Sequence, residues 1–264
     1  MSEADSPSNE GRVAGAQTIA RALEVLDVLR TSNRDVGLTE IARTLSLHTS
    51  TAHRVLRALA SAGYVAQRPD SGRYRLGRSS FLLGRAAERD LGFDAVAPVL
   101  EQLRDDTGES VNLVVRDGDM GLVVLRYESS QPLRFAQPTG TRIPLHCTST
   151  GKVLLAFSAD PSSDLKALGK LEELTSSTIT SKAALTRELE QVRNTGYGTN
   201  LGERMPGVCG IAAPVLAADG SLLAALAVQG PQVRMPQNRL DELSTVVVEA
   251  AARVAEMLPS GFQI

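Results

Sequence analysis

Two cysteines and a histidine are the residues of this chain that most readily suggest covalent catalysis. His146 is followed directly by Cys147, whereas Cys209 lies much farther along the chain. A nucleophile and its base must converge in space, and adjacency in sequence does not bring them together. We therefore predict that Cys147 packs at a helix entry and Cys209 in a strand, and that the chain has no catalytic residue.

Phosphate and metal chemistry is the next class to consider. The segment from Thr148 to Lys152 partly matches a phosphate-binding loop, but Val153 stands where a Ser or Thr must bind magnesium. His146 also stands where that motif needs its first glycine. The three histidines, at 48, 53 and 146, are too scattered for a metal triad. We predict neither a metal nor a cofactor.

The same segment is better suited to holding an organic anion. If Thr148, Ser149 and Thr150 open a helix, their backbone N–H groups are unpaired and favour a carboxylate. The simpler alternative is that Thr148 only caps that helix.

A second kind of chemistry is carried by basic residues. Between Val36 and Arg78 there are seven arginines and two acidic residues, a net charge of +5. Because the whole chain has a net charge of −2, the rest carries −7. This distribution suggests a segment for a polyanion attached to an acidic body, although a solvated basic face is the simpler alternative.

Residues 49–62 predict a helix with two unlike faces. At about 100° per residue, one arc is apolar and contains Ala52, Val55, Leu56 and Leu59. The opposite arc is polar and contains Ser50, His53, Arg54 and Arg57. Such an arc suits the base edges of a DNA major groove. We expect Ser50, Thr51, His53, Arg54 and Arg57 to face that groove, where Arg54 or Arg57 would bind guanine O6 and N7.

The surrounding elements predict a winged helix-turn-helix. A first helix carries apolar residues at helical spacing, and a short second helix runs from Thr39, its expected N-cap, to Leu45. After Gly63, strands at 64–67 and 73–76 flank a tight turn. This order lets the third helix enter a major groove. Phosphate or minor-groove contacts are expected from Arg43, Arg68, Arg73 and Arg75.

The remainder predicts an α+β domain joined by a linker. A linking helix contains the apolar run Phe81-Leu82-Leu83, which is suited to pack against a second copy. Strands are predicted at 110–116, 121–127, 208–217 and 221–228, and helices at 93–107, 148–157, 182–194 and 239–257. The predicted organisation is a disordered tail (1–16), a DNA-binding domain (17–77), a linker helix (78–92) and a second, α+β domain (93–260).

Composition excludes several other classes of protein. The 264 residues favour two domains, and 3% aromatic content without Trp argues against stacking platforms for single-stranded nucleic acid. The apolar runs are far shorter than the roughly 20 residues of a membrane span, and the polar N-terminus does not match a secretory signal. Two cysteines make neither a disulfide framework nor a zinc cluster. We expect a cytoplasmic protein.

Short motifs follow one another along the chain in a defined order. The N-terminal motifs are Arg21-Ala22-Leu23, Leu38-Thr39-Glu40-Ile41-Ala42, Ser50-Thr51-Ala52-His53-Arg54-Val55-Leu56, Gly63-Tyr64-Val65 and Gly72-Arg73-Tyr74-Arg75-Leu76-Gly77. The C-terminal motifs are Thr107-Gly108-Glu109, Pro144-Leu145-His146, Gly151-Lys152-Val153-Leu154-Leu155-Ala156, Gly196-Tyr197, Ala212-Ala213-Pro214-Val215 and Gly230-Pro231. In their order and spacing, these motifs together resemble the IclR family of bacterial transcriptional regulators.

The resemblance implies a GAF-like effector-binding domain, a homodimer or a tetramer of two dimers, and a small organic acid that changes DNA binding. It also implies a set of ligand-binding positions, which here are Ser149, Thr150, Asn200, Val208, Gly210, Ala227 and Gln229. Asn200 stands where the family often has an acidic residue, and Gly210 where it often has cysteine. Ala227 and Gln229 replace two frequent serines. Gly210 and Ala227 remove side-chain volume and so leave space for the body of a ligand, which favours a larger acid than glyoxylate or pyruvate.

The predicted function is a ligand-responsive, DNA-binding transcriptional regulator of a pseudo-palindromic operator. Two other classes stay open at this point. One is a metabolite-processing enzyme with an attached DNA-binding domain, which would require a catalytic constellation. The other is a small-molecule-binding module that acts through protein partners alone, which would not need an arginine face opposite an apolar helical stripe.

Overall fold

The computed structural model describes residues 14–32, 34–259 and 261–262. The chain divides into two compact units between Glu88 and Arg89. Residues 1–13 of the expected disordered tail lie outside the described residues. Residues 14–16, also expected in that tail, belong to the first helix, whose Ala-Gly-Ala start contains two strong helix formers.

In its described part, the first unit contains three complete helices, a two-stranded hairpin and most of a fourth helix: α1 (Ala14–Thr31), α2 (Leu38–Thr44), α3 (Thr49–Ser61), β1 (Val65–Gln67), β2 (Tyr74–Leu76) and α4 (Arg78–Asp90). Its core is built from aliphatic residues and one tyrosine, namely Val25, Leu29, Val36, Ile41, Val55, Leu56, Val65 and Tyr74. Val36 adds a backbone bridge to Tyr74, with 2.8 Å hydrogen bonds in both directions. The predicted winged helix-turn-helix order is therefore confirmed.

The predicted cap of α2 is wrong. The helix begins at Leu38, and Gly37 is its N-cap, so Thr39 lies inside the first turn. Gly37 is extended, with φ −80° and ψ 153°, and its carbonyl accepts the first helical hydrogen bond from Ile41 at 3.0 Å. A backbone cap of this kind leaves the Thr39 side chain exposed.

The helix α4 (Arg78–Asp90) contains the division between the two units. The second unit continues with α5 (Phe93–Thr107), β3 (Ser110–Asp117), β4 (Met120–Tyr127), β5 (Arg142–Pro144), α6 (Ser149–Ala156), α7 (Pro161–Ala167), α8 (Lys182–Thr195), β6 (Gly198–Leu201), β7 (Val208–Leu216), β8 (Leu222–Pro231) and α9 (Gln237–Met257). The strands form one antiparallel sheet in the order β5-β4-β3-β8-β7-β6. The predicted α+β class is confirmed.

The sheet buries a different set of side chains on each face. Alternate residues such as Leu113, Ile211 and Leu226 form one core with α5 and α9. The residues between them, such as Val114, Ala212 and Ala227, form a second core with α6 and α8. This alternation follows from the period of two along a strand. We call the second side the α6 face.

The sequence patterns did not reveal three short elements, β5, β6 and α7. Each has too few residues to show a clear period. No helix among the described residues is both long and apolar enough to span a membrane.

Candidate functional site

The polar face of α3 lies on the surface of the first unit. Ser50, His53, Arg54 and Arg57 are exposed and Thr51 is half-buried. Ala52, Val55 and Leu56 are buried against the core, and Leu59 packs beside it. The division of this helix into two faces is therefore confirmed, and it leaves both guanidinium groups directed away from the core.

The arginines of the wing differ in their partners. Arg68 Nε lies 2.9 Å from Asp35 Oδ2, and Arg73 Nη1 lies 3.0 Å from the carbonyl of Asp35 and 3.8 Å from Glu40 Oε2. Arg34 also pairs with Glu40 and holds the pKa of that carboxyl below its usual range. The wing therefore shares part of its positive charge with Asp35, which precedes α2, and with Glu40 in its first turn.

A second group of arginines is exposed without such compensation. In the part of the chain that the structure describes, no ion pair includes Arg43, Arg54, Arg57 or Arg75. Charged groups of this kind are available to phosphates or base edges, because no carboxylate must first be displaced.

In the second unit, the start of α6 is built as the sequence suggests. Thr148 is the N-cap: its Oγ1 accepts from Gly151 N at 3.0 Å and donates to the Pro144 carbonyl at 2.8 Å. Ser149 and Thr150 are completely buried, and neither hydroxyl has a hydrogen-bond partner. Gly151 is required here because a Cβ would overlap the Leu145 backbone. The cap is thus satisfied within the chain, whereas the two following hydroxyls are free.

Strand register brings the other predicted ligand positions beside α6. Asn200 pairs with Gly210, and Gly210 with Gln229, so the three form one row on the α6 face. Ala227 lies in the next row, opposite Ala212, and is fully buried. The structure therefore brings Ser149, Gly210 and Gln229 together, since a Cβ at Gly210 would lie 2.8 Å from Gln229 Cγ and 3.4 Å from Ser149 Oγ.

The structure shows surroundings of three of these residues that the sequence patterns did not reveal. Gln229 already occupies the space beside Gly210 that was expected to hold the body of a ligand. Asn200 Oδ1 accepts from Glu203 N at 2.8 Å, so its side chain holds the following turn. Val208, two residues before Gly210, is half-buried and borders an apolar surface groove with Phe135 and Met205.

Lys152 shows why the turn at Glu203 needs support. Its side chain is 1% exposed, and Nζ lies 2.8 Å from Glu188 Oε1, 2.7 Å from Glu203 Oε1 and 3.0 Å from the Thr199 carbonyl. All three ammonium protons therefore have acceptors, so this lysine is a structural ion-pair partner in the free protein.

Sequence reasoning missed two polar residues on the sheet. Asn112 is 1% exposed, although it lies between apolar residues in β3. Arg126 pairs with Asn112 in register, so both lie on the α6 face, and its side chain is 11% exposed. The signal for Asn112 was a polar residue inside an apolar strand run, which is unusual unless it has a partner.

The atoms left without partners identify the site most directly. Within the described residues, the buried side-chain atoms that lack a hydrogen bond belong to Asn112, Arg126, Ser149, Thr150 and Glu203. The first two lie on the α6 face, the next two begin α6, and Glu203 is bound to Lys152 of the same helix. Buried polar atoms normally have partners, so a concentration of exceptions in one region marks it as a candidate binding site.

Neither cysteine has the properties of a nucleophile. Burial raises the pKa of the Cys147 thiol to about 11 and also raises the pKa of Cys209. His146 Nε2 lies 3.0 Å from the Glu172 carbonyl. Cys209 packs in the core on the opposite side of the sheet from Ser149. A thiol kept protonated at neutral pH is a poor nucleophile. No cluster of potential metal ligands was found in the described ranges.

Comparison with known proteins shows the family of this chain. The family model for the IclR helix-turn-helix domain matches residues 18–69, and that for the C-terminal part of the bacterial transcriptional regulator IclR matches residues 89–256. The HTH-type transcriptional regulator BhcR of Paracoccus denitrificans is 38% identical over 245 residues, which cover 91% of this chain and 87% of that protein. The acetate operon repressor of Salmonella typhimurium is 30% identical, covering 90% and 88%.

A solved structure with a bound ligand is also similar. An IclR homologue from Microbacterium hydrocarbonoxydans, crystallised with 4-hydroxybenzoate, has a TM-score of 0.82 and 26% identity, and the match covers 92% of this chain and all of that one. Because the curated relatives are named as regulators and repressors, the prediction of a regulator rather than an enzyme is confirmed. The chain therefore belongs to the IclR family of transcriptional regulators, with a DNA-binding helix-turn-helix domain and an effector domain.

Proposed function

We propose that this chain binds a pseudo-palindromic operator as a homodimer, or as a tetramer of two dimers, and that a small organic acid bound beside α6 changes this binding. The observation that carries the proposal is the group of buried, partnerless polar atoms around Ser149 and Thr150. A regulator of this kind acts on the chromosome, so we place it in the cytoplasm. The other proteins named above support DNA and acid ligands by similarity only.

On DNA, the exposed face of α3 would enter the major groove. Base contacts would come from the five residues of that face, Ser50, Thr51, His53, Arg54 and Arg57. Phosphate or minor-groove contacts would come from Arg43, Arg68, Arg73 and Arg75. Of these, Arg68 and Arg73 must share their charge with Asp35 and Glu40, so they would contribute less than Arg75.

Dimer formation is supported by the apolar surface of α4. This helix has no buried residue, and Phe81, Leu82 and Leu83 are 65%, 56% and 59% exposed. Burying three large apolar side chains of each copy against the other removes them from water. Two copies would present two α3 helices to two half-sites, as symmetric DNA-binding proteins do.

In the second unit, the acid would approach the start of α6. The hydroxyls of Ser149 and Thr150 would donate to its carboxylate, because they have no acceptor in the free protein. Gln229 would move or bind the ligand directly, since its side chain fills the space beside Gly210. Because the side chain of Gln229 is an amide, this arrangement favours an acid that carries further polar groups.

A thermal-shift screen tests the effector assignment. The full chain is heated with a panel of small aliphatic and aromatic acids, and a ligand that binds the folded state raises its melting temperature. Ser149→Asp should abolish the response, because a carboxylate placed there repels an anion. Ser176→Asp adds the same charge at an exposed position and should respond as the parent does.

Circular dichroism confirms that each variant is folded before it is compared. The effector assignment is wrong if no acid raises the melting temperature of the parent. It is also wrong if the folded Ser149→Asp variant responds to the acids as the parent does.

A further inference from the structure

The function proposed above does not involve the buried amide of Asn112. Its Nδ2 donates to Gln229 Oε1 at 3.0 Å, whereas its Oδ1 is buried and has no hydrogen-bond partner. Asn112 lies in the middle of β3 between Val111 and Leu113, which are fully buried in the opposite core. A carbonyl oxygen removed from water without a donor is costly, so its retention requires a reason.

Asn112 is continuous with the acid-binding end of the site. It contacts Gln229, and Gln229 lies opposite Gly210 in register. A Cβ at Gly210 would lie 3.4 Å from Ser149 Oγ, so an unbroken line of groups runs from Ser149 to Asn112. Ala227, the partner of Asn112 on β8, ends at its Cβ and adds no bulk on this face. A ligand whose carboxylate is held at Ser149 therefore has its other end near Asn112.

A donor without a partner lies on the next strand. Arg126 is paired with Asn112 across β3 and β4, and directly opposed side chains have Cβ atoms about 5 Å apart. Arg126 Nη2 lies 2.5 Å from Glu128 Oε1, but Nε is buried and has no hydrogen-bond partner. The far end of the site thus presents one unpaired acceptor and one unpaired donor on neighbouring strands.

A hydroxyl group satisfies both requirements, because its O–H donates and its oxygen accepts. A keto oxygen can only accept, and a methyl group can do neither. We propose that the effector is a hydroxylated organic acid, with its hydroxyl donating to Asn112 Oδ1 and accepting from Arg126 Nε. The inference rests on the proposed function, since it assumes that an acid binds beside α6. Sites built to bind a hydroxyl discriminate strongly against analogues without it.

Matched ligands and a matched variant test this assignment. Calorimetry with the full chain compares benzoate with 4-hydroxybenzoate, and propionate with lactate and pyruvate. In at least one series the hydroxy acid should bind at least about tenfold more tightly than its relatives. In Asn112→Leu that ratio should fall to about one, because the unpaired acceptor is gone. In Asn194→Leu, which changes an exposed asparagine of α8, the ratio should be unchanged.

The outcomes separate this inference from the function on which it rests. Acids that bind without preference for the hydroxyl, a preference for the oxo acid, or a ratio that persists in folded Asn112→Leu would each overturn the hydroxyl assignment and leave the acid effector standing. A chain that binds none of the acids would instead refute the effector site itself, and the hydroxyl assignment with it. If the leucine variant does not fold, Asn112→Ala removes the same amide without adding a branched side chain.

Discussion

The α3 face and the candidate site beside α6 both present polar groups that have no partner among the described residues, but they do so in opposite environments. Arg54 and Arg57 are exposed, and water hydrates their charge in the free protein. Ser149 and Thr150 are completely buried, so their hydroxyls are removed from bulk water and have no hydrogen-bond partner among the described residues. Each buried group of this kind costs about 1–3 kcal/mol of stability, whereas an exposed arginine costs nothing comparable.

The two regions therefore derive their binding free energy from different sources. The α3 face gains affinity when phosphates replace its counterions. The proposed effector site beside α6 would gain affinity from a ligand that supplies the hydrogen bonds that its buried groups lack. Substitutions in the first region should accordingly change DNA affinity without changing stability. Substitutions in the second region should change both ligand affinity and stability.

The largest effect is expected where a charge is buried. Lys152→Met removes the cation that holds Glu188 and Glu203, and leaves Glu203, 7% exposed, without its ion-pair partner. Breaking a buried pair in this way should destabilise the second unit by about 3–5 kcal/mol. Urea unfolding measures the loss. Lys170→Met removes an exposed lysine and should change stability little, and equal stability of both variants would contradict the structural role of Lys152.

The next largest effect concerns base recognition. Arg54→Ala should lower affinity for the operator by about 1–3 kcal/mol and relax the preference for one base pair. Gel shifts with operator and random DNA measure both quantities, and the melting temperature should stay the same because Arg54 is exposed. Arg187→Ala, at an exposed position on α8, is the control. If the variant binds both DNAs as the parent does, Arg54 does not contact bases in the major groove.

A smaller effect should distinguish the arginines of the wing. Arg75→Ala should weaken binding about equally on all sequences and reduce the slope of affinity against salt by about one. Arg68→Ala should reduce the slope less, because Asp35 already compensates its charge. Asp35→Asn should then raise affinity for random DNA by freeing Arg68. Equal slopes for the two arginine variants would show that the ion pair does not persist on DNA.

The smallest change in stability is expected at the start of α6. The double variant Ser149→Ala and Thr150→Val removes two partnerless hydroxyls, so the free protein should keep its stability or gain up to about 1 kcal/mol. The same variant should lose its thermal response to the acid. Thr148→Ala is the matched contrast, since it removes a cap and should cost about 1 kcal/mol. Destabilisation of similar size in both would mean that the hydroxyls are bonded in solution.

The sequence revealed features that depend on residues close together in the chain, and it did not reveal features that depend on short segments or on residues far apart in the chain. The two faces of α3 follow from the helical period within 13 residues, and the structure has the same division. The N-cap of α2 was misplaced by two residues, because a glycine carbonyl can begin a helix and a side-chain signal then misleads. The strands β5 and β6 were missed because three or four residues do not establish a period.

The site beside α6 was predicted only in part. Ser149 and Thr150 were identified from the polar start of a helix, and that local signal needed no tertiary information. The space expected beside Gly210 is filled by Gln229, because the size of a cavity depends on neighbours from another strand. The state of Cys147 likewise depends on burial, which raises its pKa to about 11.

Composition and local periodicity were sufficient for the helix-turn-helix, the basic face and the α+β class, since each depends on residues close together in the chain. The pairing of Asn112 with Gln229 joins residues 117 positions apart. It depends on the antiparallel register of β3 with β8, and a shift of one residue would move either side chain to the opposite core. Only the folded sheet could decide which polar groups meet and which remain unpaired, because hydrogen bonds form between neighbours in space.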